Sequence, residues 1–226
     1  MLSHLRIDRD GDIAIVSLLA PTMPPPLFTE LGETFAGFAR EPALRAVILR
    51  GDAKVFSYGL DLRAAFAAWG PAFSGQGLAA ARTELWTMIR EIQAAITAVA
   101  SCPAPVIAAI HGWCVGGGVD LITACDLRIC TADARFSVRE TKVAMVADLG
   151  SLQRLPLVIG DAATRELALT GKDIDAPRAP RERKCLRRMK KTANKSMLPV
   201  NPGGYFRSCY IAGPVVRQRP RYSLCQ

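Results

Sequence analysis

The sequence predicts an α/β fold with parallel strands. Three observations carry that expectation: compact apolar runs at Ile13 to Leu19, Ala46 to Leu49 and Val106 to Ile110, helical periods alternating with them, and glycines at the turn after the third run. Half of the 226 residues are apolar, so one large domain, or a domain with an appendage, can bury a sizeable core.

Taken in order, Ile13 to Leu19 alternates and branches like a strand. The triple proline Pro24, Pro25, Pro26 then precedes Leu27, Leu31, Phe35 and Phe38 at helical spacing. Ala46 to Leu49, bounded by Arg45 and Arg50-Gly51, fits a buried strand, and Ser57 to Leu62 reads as a turn. From Arg82 to Cys102 the positions Leu85, Ile89, Ile92, Ile96 and Val99 draw one apolar stripe on a helix that Pro103 stops. Val106 to Ile110 is again strand-like, the glycines after it form a turn, and Val119 to Ala124 opens a further helix. Leu127 to Cys130 and Phe136 to Val138 read as strands.

Charge divides the chain in two. Residues 178–226 hold 13 of the 29 Lys and Arg but only one of the 20 acids, Glu182, so the formal net charge of +9 belongs to the tail. A nucleic-acid partner is therefore not expected from the overall charge; a solvated basic run is the commoner meaning. The period also breaks at about Pro177, and Pro199, Pro202, Pro214 and Pro220 interrupt the remainder of the chain. The expectation is a core over 1–177 and a poorly ordered tail over 178–226. The change is abrupt enough to read as a shifted reading frame, with a genuine divergent appendage as the alternative.

No charge-free apolar run approaches the roughly 18 to 20 residues of a membrane span, and Arg6, Asp8, Arg9, Asp10 and Asp12 interrupt the start where an export signal would be apolar. Cytoplasmic residence is expected, with no membrane partner. Of seven cysteines, Cys102, Cys114, Cys125 and Cys130 sit in apolar contexts without C-x-x-C spacing, which signals neither a disulfide framework nor a metal site. They read as reduced core residues. Cys114 as a nucleophile is the sharper alternative, but His4 and His111 are the only histidines.

Chemistry concentrates between His111 and Asp148. A strand running into Gly116-Gly117-Gly118 and out as a helix leaves the first helical N–H groups without internal partners, at the positive end of the helix dipole. Such an end stabilises developing negative charge; a tight turn or a phosphate anchor would use the same glycines. The dinucleotide spacing G-x-G-x-x-G is not met. Asp120 follows the triplet, where an acid is also an ordinary neighbour of the dipole. Glu140 and Asp148 lie among Phe136, Val138, Val143, Met145, Val146 and Leu149, where burial and mutual repulsion would raise a carboxyl toward neutrality. Each acid taken singly also fits a surface position.

In chain order, Phe56-Ser57-Tyr58-Gly59-Leu60-Asp61-Leu62, Pro105 to Gly112, Gly116-Gly117-Gly118-Val119-Asp120-Leu121, Ala124-Cys125-Asp126-Leu127-Arg128 and Phe136 to Glu140 resemble the enoyl-CoA hydratase/isomerase (crotonase) superfamily. The dienoyl-CoA isomerase subgroup is the nearest, on Asp120 where hydratases carry glutamate, on Glu140, and on Asp148 where hydratases carry glycine. The likeness covers roughly residues 10–175 and continues through Gly150 to Pro156 and Ile159-Gly160.

That resemblance implies a spiral core of repeated β-β-α units. It implies an acyl-CoA thioester whose oxygen is held by the N–H groups of Leu60 and Gly117, with Gly59, Leu60, Asp61, Leu62, Arg63, Gly117 and Gly118 at the substrate. Asp120, Glu140 and Asp148 are the implied catalytic acids. Asp148 would take the C2 proton and Glu140 would return one at C6, with Asp120 tuning or orienting them; the alternative readings are a hydratase and a non-catalytic remnant that lacks the C-terminal helices. No cofactor is implied beyond the coenzyme A of the substrate, and a homotrimer or hexamer is expected. Two segments depart from the pattern: Thr22 to Pro26 replaces a polar loop that contributes to the coenzyme A site, and nothing from Arg178 onward resembles the usual C-terminal trimerisation helices.

Overall fold

β-Branched apolar runs decide where the main sheet lies. In the computed structural model of the chain, which describes residues 2–73, 79–176 and 187–188, Ile13–Leu18 (β2), Ala46–Gly51 (β3) and Val106–Ile110 (β4) pair in parallel. All five residues of β4 are buried, as a parallel strand covered on both faces requires. Leu127–Cys130 (β6) extends the array beyond β4, and Arg187–Arg188 (β9) pairs in parallel with Ile129 and Cys130. Apart from those two residues, the expectations for the tail lie outside the described residues.

The parallel expectation needs one correction. Leu5–Asp10 (β1) pairs antiparallel with β2 through a hairpin at Asp10-Gly11-Asp12, where Gly11 has φ +55° and glycine is the easy occupant. A second sheet joins Trp113–Val115 (β5) in parallel to Arg135–Ser137 (β7), and β7 pairs antiparallel with Asp173–Asp175 (β8).

Helices fill the connections. Pro25–Phe38 (α1) follows the β1-β2 hairpin, and Leu62–Phe73 (α2) and Ala79–Ser101 (α3) follow β3. Gly117–Ala124 (α4) follows β4 and β5. After β6 and β7 come a 3₁₀ turn, Glu140–Val143, and then Ser151–Ile159 (α5) and Asp161–Thr170 (α6). The order is the expected succession of β-β-α units. α1 packs on α3, with Leu31 and Phe35 buried on one and Ile92, Ile96 and Val99 on the other. Gly32 faces Ala95 across this contact, where a methyl group would sit at 3.5 Å from Ala95 Cβ, an ordinary van der Waals distance. Each such side chain contributes about 1.5–3 kcal/mol on burial.

Cys102, Cys114, Cys125 and Cys130 are buried and in thiol form among the described residues, as expected of core residues. Burial raises the Cys114 thiol well above its ordinary value, which keeps it protonated and unsuited to nucleophilic attack. Among the described residues no helix is long and apolar enough to cross a membrane.

Candidate active site

Two chain segments meet at the start of α4. The Gly116 N–H donates to Ser137 O (3.0 Å), which anchors the turn to β7, and Gly116 adopts φ +53°, a region that favours glycine. Ser57 bridges to Cys114 and Met23 bridges to Leu60 in parallel fashion. The Met23 N–H donates to Gly59 O (2.8 Å) and the Asp61 N–H to Met23 O (3.0 Å). The divergent Thr22–Pro26 loop is therefore stitched onto the segment carrying Leu60, and Thr22 Oγ1 also donates to Asp61 Oδ2 (3.0 Å).

A methyl group on Gly117 would lie 3.4 Å from the Leu60 nitrogen, so the two backbone amides adjoin. Neither the Leu60 nor the Gly117 N–H has an acceptor among the described residues. Gly117 opens α4, where a free N–H is the rule and the dipole is positive. Behind it, the Arg128 guanidinium donates to Ile122 O (3.0 Å) and Cys125 O (2.7 Å) and closes the other end of α4. The Ala124-Cys125-Asp126-Leu127-Arg128 motif thus fixes the helix whose N-terminus faces the site.

Leu60, Gly117, Glu140 and Asp148 line one cavity of about 690 Å³, whose remaining wall is mainly apolar and includes Leu62, Phe66, Trp69 and Met145. That size and lining suit a small-molecule ligand with a long apolar part. Glu140 begins the 3₁₀ turn after β7, and its Oε2 is buried with no hydrogen-bond partner among the described residues. Burial pushes the Glu140 carboxyl up to about 7, and the charges of Asp120 and Asp148 add to that rise. Asp148 is solvent-exposed within the cavity wall, yet the surrounding protein still raises its carboxyl, again through desolvation. Its backbone is pinned by Gln93 Nε2, which donates to Asp148 O (2.6 Å).

The structure separates the remaining expected residues. Asp120 does not line the cavity: it is 1% exposed, behind the wall, where its Oδ1 accepts from the Ser151 N–H (2.5 Å) and the Ser151 hydroxyl (2.6 Å). Burial pushes Asp120 up to about 6 against the lowering effect of those two bonds. The three acids are therefore unequally desolvated, not jointly sunk in apolar surroundings. Gly59, with φ +86°, turns the chain beneath Gly117, and Leu62 joins the wall. Asp61 caps α2 by accepting from the Ala64 N–H (3.0 Å), Arg63 is exposed and outside the wall, and Gly118 packs on Ser57 and Cys114. These last three are placed by helix capping, solvation and packing.

Sequence reasoning assigns no role to Ser151, Gln93 or Trp69. The first two act across 31 and 55 residues of chain, where no local pattern exists. Trp69 sits one helical turn beyond Phe66, which itself follows Leu62 by one turn, and that apolar spacing is the signal that could find it.

Fold and site together define an α/β protein in which two adjoining backbone amides and two raised carboxyl groups belong to residues lining one largely apolar cavity. The family described as enoyl-CoA hydratase/isomerase matches residues 9–182, and the chain belongs to it. It is 39% identical over 79% of its length to a mitochondrial Delta(3,5)-Delta(2,4)-dienoyl-CoA isomerase of Dictyostelium discoideum, and 43% identical over 75% to a peroxisomal one of Arabidopsis thaliana. It spans 62% and 58% of the length of those two relatives. A solved enoyl-CoA hydratase/carnithine racemase from Magnetospirillum magneticum superposes with a TM-score of 0.71 at 30% identity, over 81% of this chain and 67% of that one.

Proposed function

We propose that this chain carries the catalytic core of an acyl-CoA isomerase that converts a 3,5-dienoyl-CoA to the 2,4-dienoyl-CoA. The observation that carries the reading is the shared wall: two carboxyl groups, Glu140 and Asp148, face the same cavity as the uncommitted N–H groups of Leu60 and Gly117. The names of the two relatives point the same way.

In this reading the thioester oxygen accepts from the Leu60 and Gly117 N–H groups. Asp148 removes a proton from C2, the electron pair forms C2=C3 while C3=C4 becomes C4=C5, and the former C5=C6 bond takes a proton from Glu140 at C6. Charge on the oxygen grows only as the C2 proton leaves, so the two donors act on the transition state; losing one such donor typically costs about 2.7–4 kcal/mol. A carboxyl raised to about 7 still carries its proton in about half of the molecules at neutrality, where an ordinary glutamate is almost fully ionised, which suits Glu140 as the acid. Asp120, off the cavity wall and bound to Ser151, is ill placed to share an attacking water with Glu140, which disfavours hydration. No cofactor is needed beyond the coenzyme A of the substrate. Because the relatives are named as mitochondrial and peroxisomal, the cytoplasmic expectation draws no support from them.

The test is ultraviolet absorbance with two substrates. A 3,5-dienoyl-CoA gains long-wavelength absorbance as the diene joins the thioester in conjugation. Loss of absorbance from a 2-enoyl-CoA, with no change in the dienoyl-CoA, would instead identify a hydratase. Binding of both thioesters without change in either would identify a non-catalytic chain.

A further inference from the structure

Asp120 never reaches the cavity, so whatever it does for the site it does through its charge. Both hydrogen bonds described for that carboxylate come from one residue. Ser151 is fully buried at the first position of α5, just after Gly150 with φ +123°, and places both its N–H and its hydroxyl on the same Asp120 oxygen, at 2.5 and 2.6 Å. The bond pair joins α4 to α5 and presents the Asp120 carboxylate to the N-terminal end of α5, where negative charge is favoured. Asp148 lies three residues ahead of Ser151, on the loop leading into the same helix.

We propose that Ser151 is a positioning residue that keeps Asp120 ionised behind the cavity wall, and that the resulting negative charge holds the proton on Glu140 for delivery to substrate. The proposal rests on the isomerase reading for its kinetic consequence. The charged and titratable groups around Asp120 are Glu140 from the 3₁₀ turn, Asp148 from the loop before α5, Arg154 from α5 and Cys114 from β5. Asp120 and Asp148 both push the Glu140 carboxyl upward, whereas Arg154 and the two Ser151 bonds favour ionised Asp120. Asp120 and Glu140 thus compete for one proton, and Ser151 decides the competition in favour of Glu140.

Ser151→Ala removes the hydroxyl and tests the competition directly. Asp120 then holds its proton more strongly, and the productive state, with Asp120 ionised and Glu140 protonated, loses population to the reverse state. Turnover falls roughly two- to tenfold across the pH plateau, and the alkaline limb of the pH–rate profile moves upward because the pair binds its shared proton more tightly. A purely structural defect lowers turnover without moving that limb. In parallel, ¹³C-carboxyl NMR of the full chain reads the titrations without substrate: Ser151→Ala raises that of Asp120. In an Asp120→Asn background the same substitution leaves the titration of Glu140 unmoved. Unchanged carboxyl titrations in Ser151→Ala, or an effect on Glu140 that persists in the Asp120→Asn background, overturn the proposal. Shifted titrations in a chain whose wild type lacks turnover uphold the proton competition and reject the isomerase reading instead.

Discussion

Gly59 and Gly117 stand so close that a methyl group on Gly59 would lie 2.9 Å from the Gly117 nitrogen and 2.7 Å from Val115 O. This contact brings the Leu60 and Gly117 amides together from segments more than fifty residues apart in sequence. The two glycines differ in what surrounds them, and that difference separates stability from activity.

Gly59→Ala meets backbone atoms and a positive φ, so it is expected to destabilise the fold by roughly 2 kcal/mol or more in denaturant titration. Gly117→Ala meets chiefly the flexible end of Met23, at 2.8 Å. It is expected to fold with near wild-type stability, while its methyl group, 3.4 Å from the Leu60 nitrogen, crowds the two donors and lowers kcat/KM at least about tenfold.

The carboxyl groups make stability depend on pH in a direction set by their raised values. Asp120 rises from 3.8 to about 6 and Glu140 from 4.5 to about 7 on folding, so between those limits the folded chain binds more protons than the unfolded one. Stability is greatest below about pH 4 as far as these two groups are concerned, and is lost as pH rises through 6 and 7. The loss is on the order of 3 kcal/mol for each of the two groups. Asp120→Asn should flatten the curve, measured by urea denaturation between about pH 4 and 8.

Activity is expected to fall on both sides of an optimum. Above about 7 Glu140 loses the proton it must deliver, and on the acid side Asp148, itself raised, becomes protonated and cannot act as base. Glu140→Gln should remove the alkaline limb along with most of the rate, whereas a limb unmoved by that substitution assigns it to another group.

Packing between α1 and α3 supports the site from a distance. Leu31 is fully buried against that helix pair, and Leu31→Ala should cost about 2–5 kcal/mol in denaturant titration by opening a cavity, while leaving KM close to wild type.

Much of this fold is legible because its central strands are buried on both faces: β3 and β4 appear as short apolar runs, and the Leu85 to Val99 stripe marks α3 at once. β1 is obscured because it is a half-exposed edge strand, where Arg6, Asp8 and Asp10 alternate with Leu5, Ile7 and Arg9. Its signal is the Asp10-Gly11-Asp12 turn. α2 is masked by Gly70 and Pro71 near its end. In the site, the glycine triplet and the acids can be found from spacing and family likeness, but the burial of Asp120 depends on α5 closing over it. Its partner Ser151 lies 31 residues away and leaves no trace in local sequence.

The central claim, that Asp148 and Glu140 handle the protons at C2 and C6, is tested most directly by running the reaction in D₂O with Asp148→Asn and Glu140→Gln. The wild-type chain should place deuterium at C6 of the product. Glu140→Gln should exchange the C2 proton while forming product about 10²–10⁴-fold more slowly, and Asp148→Asn should do neither at an appreciable rate. Undiminished C2 exchange in Asp148→Asn, or full-rate C6 deuteration in Glu140→Gln, would contradict the account.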